Sequence, residues 1–165
     1  MRNPLAPDGY YSSVHAVDLD ALWCDGVRVL LMDLDNTLLP RDTNVVPDDL
    51  KAWAADLAAR GFRVCLVSNN FHERVRAVAS ELGFDIVDHA VKPLPFAFLR
   101  ALARAHGRRR EAAVVGDQLF TDILGGRLLG MRTVLVSPLS GTDLPHTLIL
   151  RRLEVLVLKG LTPQA

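Results

Sequence analysis

Short apolar runs alternate with helical patterns along this 165-residue chain, which predicts an α/β fold: a three-layer sandwich with a parallel central sheet. Runs such as Val29-Leu30-Leu31-Met32 and Val64-Cys65-Leu66-Val67 are apolar at every position, as in strands buried on both faces. Polar clusters follow several of these runs directly, where a parallel sheet places its ligands. Half of the residues are apolar, enough for a real core, and the length predicts one domain over 1–165.

Residues 1–26 are expected to form a partly extended arm ending in a short helix around Leu19 to Cys24. The core follows over 27–136, and its first strand runs from Val27 to Met32. Pro47 suits a helix's first turn and opens a helix to Arg60; Gly61 stops it before a strand from Phe62 to Val67. A helix from Phe71 to Leu82 ends at Gly83, and a short strand covers Asp85 to Val87. Next come a helix from Pro95 to His106 stopped by Gly107, and a strand from Ala112 to Val115. A helix from Phe120 to Leu129 stopped by Gly130 leads to the last strand, Arg132 to Val136. A final helix lies within 142–160, from about Leu144 to Lys159. It is heavily apolar but interrupted by Arg151, Arg152, Glu154 and Lys159, so docking against the sheet is expected, with a membrane-surface or dimer face as the alternative.

Acidic and basic residues balance at 19 each, which gives no electrostatic case for nucleic-acid binding. Arg108-Arg109-Arg110 is the only dense basic run and suits a solvated loop. Cys24 and Cys65 form no metal-ligand pattern and are expected to be reduced, largely buried thiols of a cytosolic protein. The first residues lack the apolar stretch of a signal peptide, and no apolar segment is long enough to span a bilayer. The expectation is a soluble, cytoplasmic protein that at most lies on a membrane surface. The histidines show no ligand spacing.

Asp33-Leu34-Asp35-Asn36-Thr37 follows the first apolar strand and puts two carboxylates at its end. Neighbouring carboxylates repel, and a cation or a shared proton relieves that cost, so the pair points to a Mg2+ site, an acid/base pair, or both. Ser68-Asn69-Asn70 follows the second strand, where the Ser68 hydroxyl and nearby N–H groups could hold an anion. Lys92 precedes Pro93, which biases it toward an extended backbone beside a helix start, a place from which it could pair with a phosphate. Gly116-Asp117-Gln118-Leu119-Phe120-Thr121-Asp122 follows the fourth strand and offers two more acids. Hard oxygen ligands of this kind are what Mg2+ prefers, although Asp117 and Asp122 also suit a helix start.

These elements, in this order, resemble the haloacid dehalogenase (HAD) superfamily: Asp-x-Asp-x-Thr at Asp33 to Thr37, then Ser68, then Lys92, then Gly-Asp-x-x-x-x-Asp at Gly116 to Asp122. More narrowly, the chain is similar to the YqeG-type, subfamily IIIA phosphatases, a group akin to the mitochondrial phosphatidylglycerophosphate phosphatases; Arg151-Arg152-Leu153-Glu154 matches this group as well. The resemblance implies a HAD-like, Rossmannoid sheet. It implies that Asp33 attacks phosphorus to form an aspartyl-phosphate, while Asp35 protonates the leaving alcohol and later activates water. Mg2+ would be held by the Asp33 carboxylate, the Asp35 carbonyl and Asp117, with Asp122 completing or orienting the site. Ser68, Asn69 and Lys92 would bind or support the phosphoryl oxygens, with Asn36 and Thr37 bracing the nucleophile loop.

The intervals from Asp35 to Ser68 and from Ser68 to Lys92 leave no room for a large cap domain. An open site favours a phosphate on something that closes the site itself, and the narrower resemblance implies a phospholipid, phosphatidylglycerophosphate, at a membrane surface. A soluble metabolite or a phosphoprotein is the enzymatic alternative. A receiver-like module carrying a persistent phosphoaspartate is a third reading, opposed by Asp35, which would hydrolyse it.

Overall fold

The computed structural model describes residues 5–140 and 145–165. Its strands are β1 (Gly9–Tyr11), β2 (Val29–Met32), β3 (Arg63–Val67), β4 (Asp85–Val87), β5 (Ala112–Gly116) and β6 (Arg132–Val136). They form one sheet in the order β1-β6-β5-β2-β3-β4, and every neighbouring pair runs parallel. The helices are α1 (Leu19–Cys24), α2 (Asp48–Ala59), α3 (Glu73–Leu82), α4 (Pro95–Arg104), α5 (Leu124–Leu128) and α6 (Pro145–Val157).

The wholly apolar runs cover both faces of the sheet, as parallel strands should. Leu30, Met32, Val64, Leu66, Ala113 and Val115 pack with Leu22 of α1, Leu50 and Leu57 of α2 and Val78 of α3. The alternate residues Val29, Leu31, Cys65, Val67 and Val114 pack with Phe98, Ala101 and Leu102 of α4. Burying a side chain such as Leu31 or Leu57 contributes about 2 kcal/mol each to holding these layers together. A smaller cluster, Leu119, Ile123 and Leu135, is joined by Val157 and Leu158 at the end of α6.

The α/β class, the parallel sheet and the absence of a large cap stand as expected, with helix ends shifted inward by a residue or two. One reading is sharpened and two are corrected. The N-terminal arm contributes an edge strand, β1, because Asp8 clips it to β6: its N–H donates to the Thr133 carbonyl at 2.8 Å and its carboxylate accepts from Thr133 N at 2.9 Å. Three residues are too few to reveal that pairing by periodicity. The helix expected from Phe120 to Leu129 is instead a π-helical turn over Leu119–Ile123 followed by the short α5. Ile123 N reaches Gln118 O at 3.3 Å, five residues back, a widening frequent at functional sites. Cys24 is exposed, whereas Cys65 is buried as expected. α1 turns Leu19 and Leu22 inward, and a residue two beyond Leu22 falls on the far side of that helix. Residues 142–144 of the expected final helix lie outside the described residues. Among the described residues, no helix is long and apolar enough to cross a membrane.

Candidate active site

Central β2 lies between β3 and β5, so the chain's crossovers diverge there, the place where open α/β sheets bind ligands. Register brings Met32 level with both Leu66 and Val115. The ladder continues one step further, with Asp33 N donating to Val115 O and Ser68 N to Val87 O, each at 2.9 Å. The residues after β2, β3, β4 and β5 therefore meet at one edge. A tight turn follows Asp35: Asn36 N donates to Leu39 O at 2.7 Å, and Leu38 N to Leu34 O at 2.9 Å. Asn36 sits at φ +61°, a left-handed conformation that Asn tolerates better than most residues. Its side-chain oxygen accepts from Ser140 Oγ at 2.7 Å, tying the turn to the segment after β6.

Lys92 links the acids from the two sides. Its ammonium donates to Asp33 Oδ1 at 2.8 Å and to Asp122 Oδ1 at 2.7 Å, and its side chain is only 3% exposed. Burial works to lower its pKa, but the charges of Asp122 and Asp33 outweigh it and hold the lysine above its ordinary value. The Thr37 hydroxyl lies 3.2 Å from Asp33 Oδ2 and 3.1 Å from Asp117 Oδ1, within donating reach of either. Burial lifts Asp117 well above the usual carboxylate range, helped by the charges of Asp33 and Asp122 and opposed by Arg151. Burial likewise lifts Asp122 to about 6 against the pull of Lys92. Gly116 makes this closeness possible: a Cβ there would stand 2.2 Å from the Asp122 carboxyl carbon.

Carboxylate oxygens of Asp33, Asp117 and Asp122 all lie within 4.8 Å of one another. This hard, all-oxygen donor set fits Mg2+. The Asp35 carboxylate is not among the three. It accepts instead from Arg74 Nη1 at 2.6 Å and Asn70 Nδ2 at 3.2 Å. Asn69 accepts from Lys92 N at 2.7 Å and so fixes the backbone that carries the lysine. Ser68 Oγ accepts from Asn70 N at 3.0 Å, and Ser68, Asn69, Asp33, Asp35 and Lys92 line a cavity of about 500 Å³.

α6 forms the other wall. Residues three, four and seven apart share one helix face, and Thr147, Leu150, Arg151 and Glu154 are so spaced. Thr147 and Leu150 line the cavity. Arg151 donates to the Asp117 carbonyl at 2.7 Å and grips the Asp117 carboxylate, while Glu154 accepts from Leu119 N at 2.7 Å. Burial raises Glu154 above its ordinary value, opposed by the Leu119 N–H and Arg151. The resemblance includes the run Arg151-Arg152-Leu153-Glu154 but assigns it no role; the shared face of Arg151 and Glu154 on an apolar helix is the signal that marks an inward polar stripe. Arg74 and Arg41, which sequence reasoning missed, sit on a helix and in a loop with no local pattern to mark them.

The parallel sheet, its switch-point cavity and this ring of carboxylates and lysine define a phosphoryl-handling hydrolase. The sequence profile of the haloacid dehalogenase-like hydrolases matches residues 40–130, and the chain belongs to that family. It is a phosphatase of the YqeG type. It is 33% identical over 155 residues to the probable phosphatase YqeG of Bacillus subtilis strain 168, an alignment covering 94% of this chain and 90% of that protein. It is also 33% identical over 159 residues to the chloroplastic phosphatidylglycerophosphate phosphatase 1 of Chlamydomonas reinhardtii, covering 90% of this chain but 57% of the algal protein. The fold is shared with the cobalt-bound deoxy-D-mannose-octulosonate 8-phosphate phosphatase of Haemophilus influenzae at a TM-score of 0.55 and 14% identity, over 82% of this chain and 89% of that one.

Proposed function

We propose that this phosphatase is a Mg2+-dependent phosphomonoesterase that works through an aspartyl-phosphate on Asp33 and acts on phosphatidylglycerophosphate. The observation that carries the chemistry is the placing of Asp33: its carboxylate lines the cavity, is held by Lys92 and Thr37, and lies beside Asp117 and Asp122.

An Asp33 oxygen attacks phosphorus as the ester oxygen leaves with a proton from Asp35. Asp35 then takes a proton from the water that cleaves the acyl-phosphate, restoring Asp33 and releasing orthophosphate. Arg74, 2.6 Å from Asp35, orients that acid. Lys92 and Ser68 hold the phosphoryl oxygens, and Asn69 keeps Lys92 in place. Mg2+, held by Asp33, Asp117, Asp122 and the Asp35 carbonyl, would supply further charge neutralisation at the phosphoryl group.

The lipid reading rests on the algal relative's named substrate and on α6. That helix turns its polar stripe to the site and leaves Leu148, Ile149, Leu153, Val155 and Leu156 exposed beside it. Such a face suits a cytoplasmic protein that rests on a membrane surface. The test is phosphate release from phosphatidylglycerophosphate in mixed micelles, with and without Mg2+, beside soluble phosphomonoesters and Asp33→Asn. Metal-dependent turnover of the lipid well above the soluble esters, abolished in Asp33→Asn, is expected; turnover of soluble esters alone would discard the lipid and keep the mechanism.

A further inference from the structure

Lys92, Arg74 and Arg151 each spend their charge on a carboxylate of the site: Lys92 on Asp33 and Asp122, Arg74 on Asp35, and Arg151 on Asp117. Arg41 does not. It lines the same cavity, yet among the described residues its buried Nε has no hydrogen-bond partner and no carboxylate pairs with it. A buried, unsatisfied donor on a cation is costly unless something that comes and goes satisfies it.

Its position is nonetheless held. Arg74 donates through Nη2 to Pro40 O at 2.9 Å and through Nε to Thr43 O at 2.6 Å, the two carbonyls that bracket Arg41. The third nitrogen of the same guanidinium holds Asp35. Arg41 is thus tethered to the Asp35 side of the site, where the leaving group departs, and not to the Lys92 side, where Asp33 receives the transferred phosphoryl group.

We propose that Arg41 receives a second anionic group of the substrate, carried on the leaving group, so that the site selects phosphomonoesters that bear a further phosphodiester or phosphate. This rests on the phosphomonoesterase reading and deepens it. A planar guanidinium with free donors matches two oxygens of a phosphodiester or phosphate side by side. Phe71, Pro93 and Phe120 line the same cavity and offer apolar contact to the carbon skeleton between the two anions. A lipid phosphodiester and the far phosphate of a soluble bisphosphate share this chemistry.

The experiment compares kcat/KM of the full chain and Arg41→Gln on three esters: short-chain dihexanoyl phosphatidylglycerophosphate, a soluble sugar bisphosphate, and butyl phosphate, whose leaving group is uncharged. The expected result is that Arg41→Gln lowers the ratio of a doubly anionic substrate to butyl phosphate at least tenfold. A fall confined to the lipid assigns the phosphodiester as the ligand, and a fall confined to the bisphosphate assigns a free phosphate. An unchanged ratio, including equal losses on all three esters, would overturn the proposal. Calorimetric binding of dihexanoyl phosphatidylglycerol, which carries the phosphodiester but no phosphomonoester, reads Arg41 without turnover. At least tenfold weaker binding to Arg41→Gln supports the proposal even if no ester is hydrolysed, an outcome that would sink the phosphomonoesterase reading alone. If the bisphosphate ratio is also unchanged, equal binding overturns the proposal.

Discussion

Arg151, on the last helix, holds Asp117 at two points, its carboxylate and its carbonyl at 2.7 Å, across 34 residues of sequence. α6, which leaves Leu148, Ile149, Leu153, Val155 and Leu156 exposed, is thereby fastened to the acidic end of the active site. Arg151 also lies 3.4 Å from Glu154, so one guanidinium serves two buried carboxylates.

Replacing Arg151 with Met leaves Asp117 and Glu154 buried without that cation. Breaking a buried pair in this way is expected to cost about 3 kcal/mol. Urea denaturation should show a lower midpoint, and limited proteolysis should cut α6 sooner than in the parent chain. A midpoint and cleavage rate equal to the parent's would mean that Arg151 does not hold α6.

Asp35→Asn keeps the nucleophile and removes the acid. An ester with a good leaving group, such as p-nitrophenyl phosphate, needs little protonation to leave, whereas water still needs a base to attack the phosphoenzyme. Stopped-flow should show a burst close to one nitrophenolate per site, followed by turnover slower by about 10²–10⁴-fold. Slow turnover with no burst would take Asp35 out of the second step.

Gly116→Ala forces a Cβ to 2.2 Å from the Asp122 carboxyl carbon and Oδ2. Overpacking of this kind costs about 1–3 kcal/mol and here would push Asp122 off Lys92. Thermal unfolding should shift down and Mg2+-dependent activity should collapse together. Full activity in a stable variant would show that the pairing of Lys92 with Asp122 is dispensable.

In the metal-free protein, burial holds Asp122 at about 6 and Asp117 also above the ordinary carboxylate value. Between the ordinary and the raised value, the folded chain keeps a proton that the unfolded chain has lost. The stabilisation from these groups is thus fully present at acid pH and fades as pH rises through about 6 for Asp122. Mg2+ binding needs the carboxylates ionised, so protons compete with it. Mg2+ should therefore raise the melting temperature more at about pH 7.5 than at about pH 5.5. An equal rise at both would mean that the metal does not engage these carboxylates.

The parts of the fold and site that were legible in the sequence are local ones. Runs such as Val29 to Met32 carry their burial pattern within a few residues, and each polar cluster sits directly after its strand, so Asp33, Ser68 and Asp117 could be placed at one sheet edge. What escaped depends on contacts between distant segments. Arg74 meets Asp35 across 39 residues and looks like an ordinary surface cation of a helix until the loop from Pro40 to Thr43 folds over it. The π-turn at Leu119–Ile123 has much the same apolar spacing as an α-helix, and only the packing of Asp122 under Gly116 distinguishes it. For Cys24, residue type alone favours burial, whereas its position on α1 turns it outward.

The most direct test of the central claim is to trap the phosphoenzyme. Protein turning over a phosphomonoester with Mg2+ is acid-quenched, treated with borohydride to reduce any acyl-phosphate, and mapped by peptide mass spectrometry. The account predicts conversion at Asp33 alone, absent in Asp33→Asn. Modification at another acid, or steady turnover with Asp33 never modified, would contradict it.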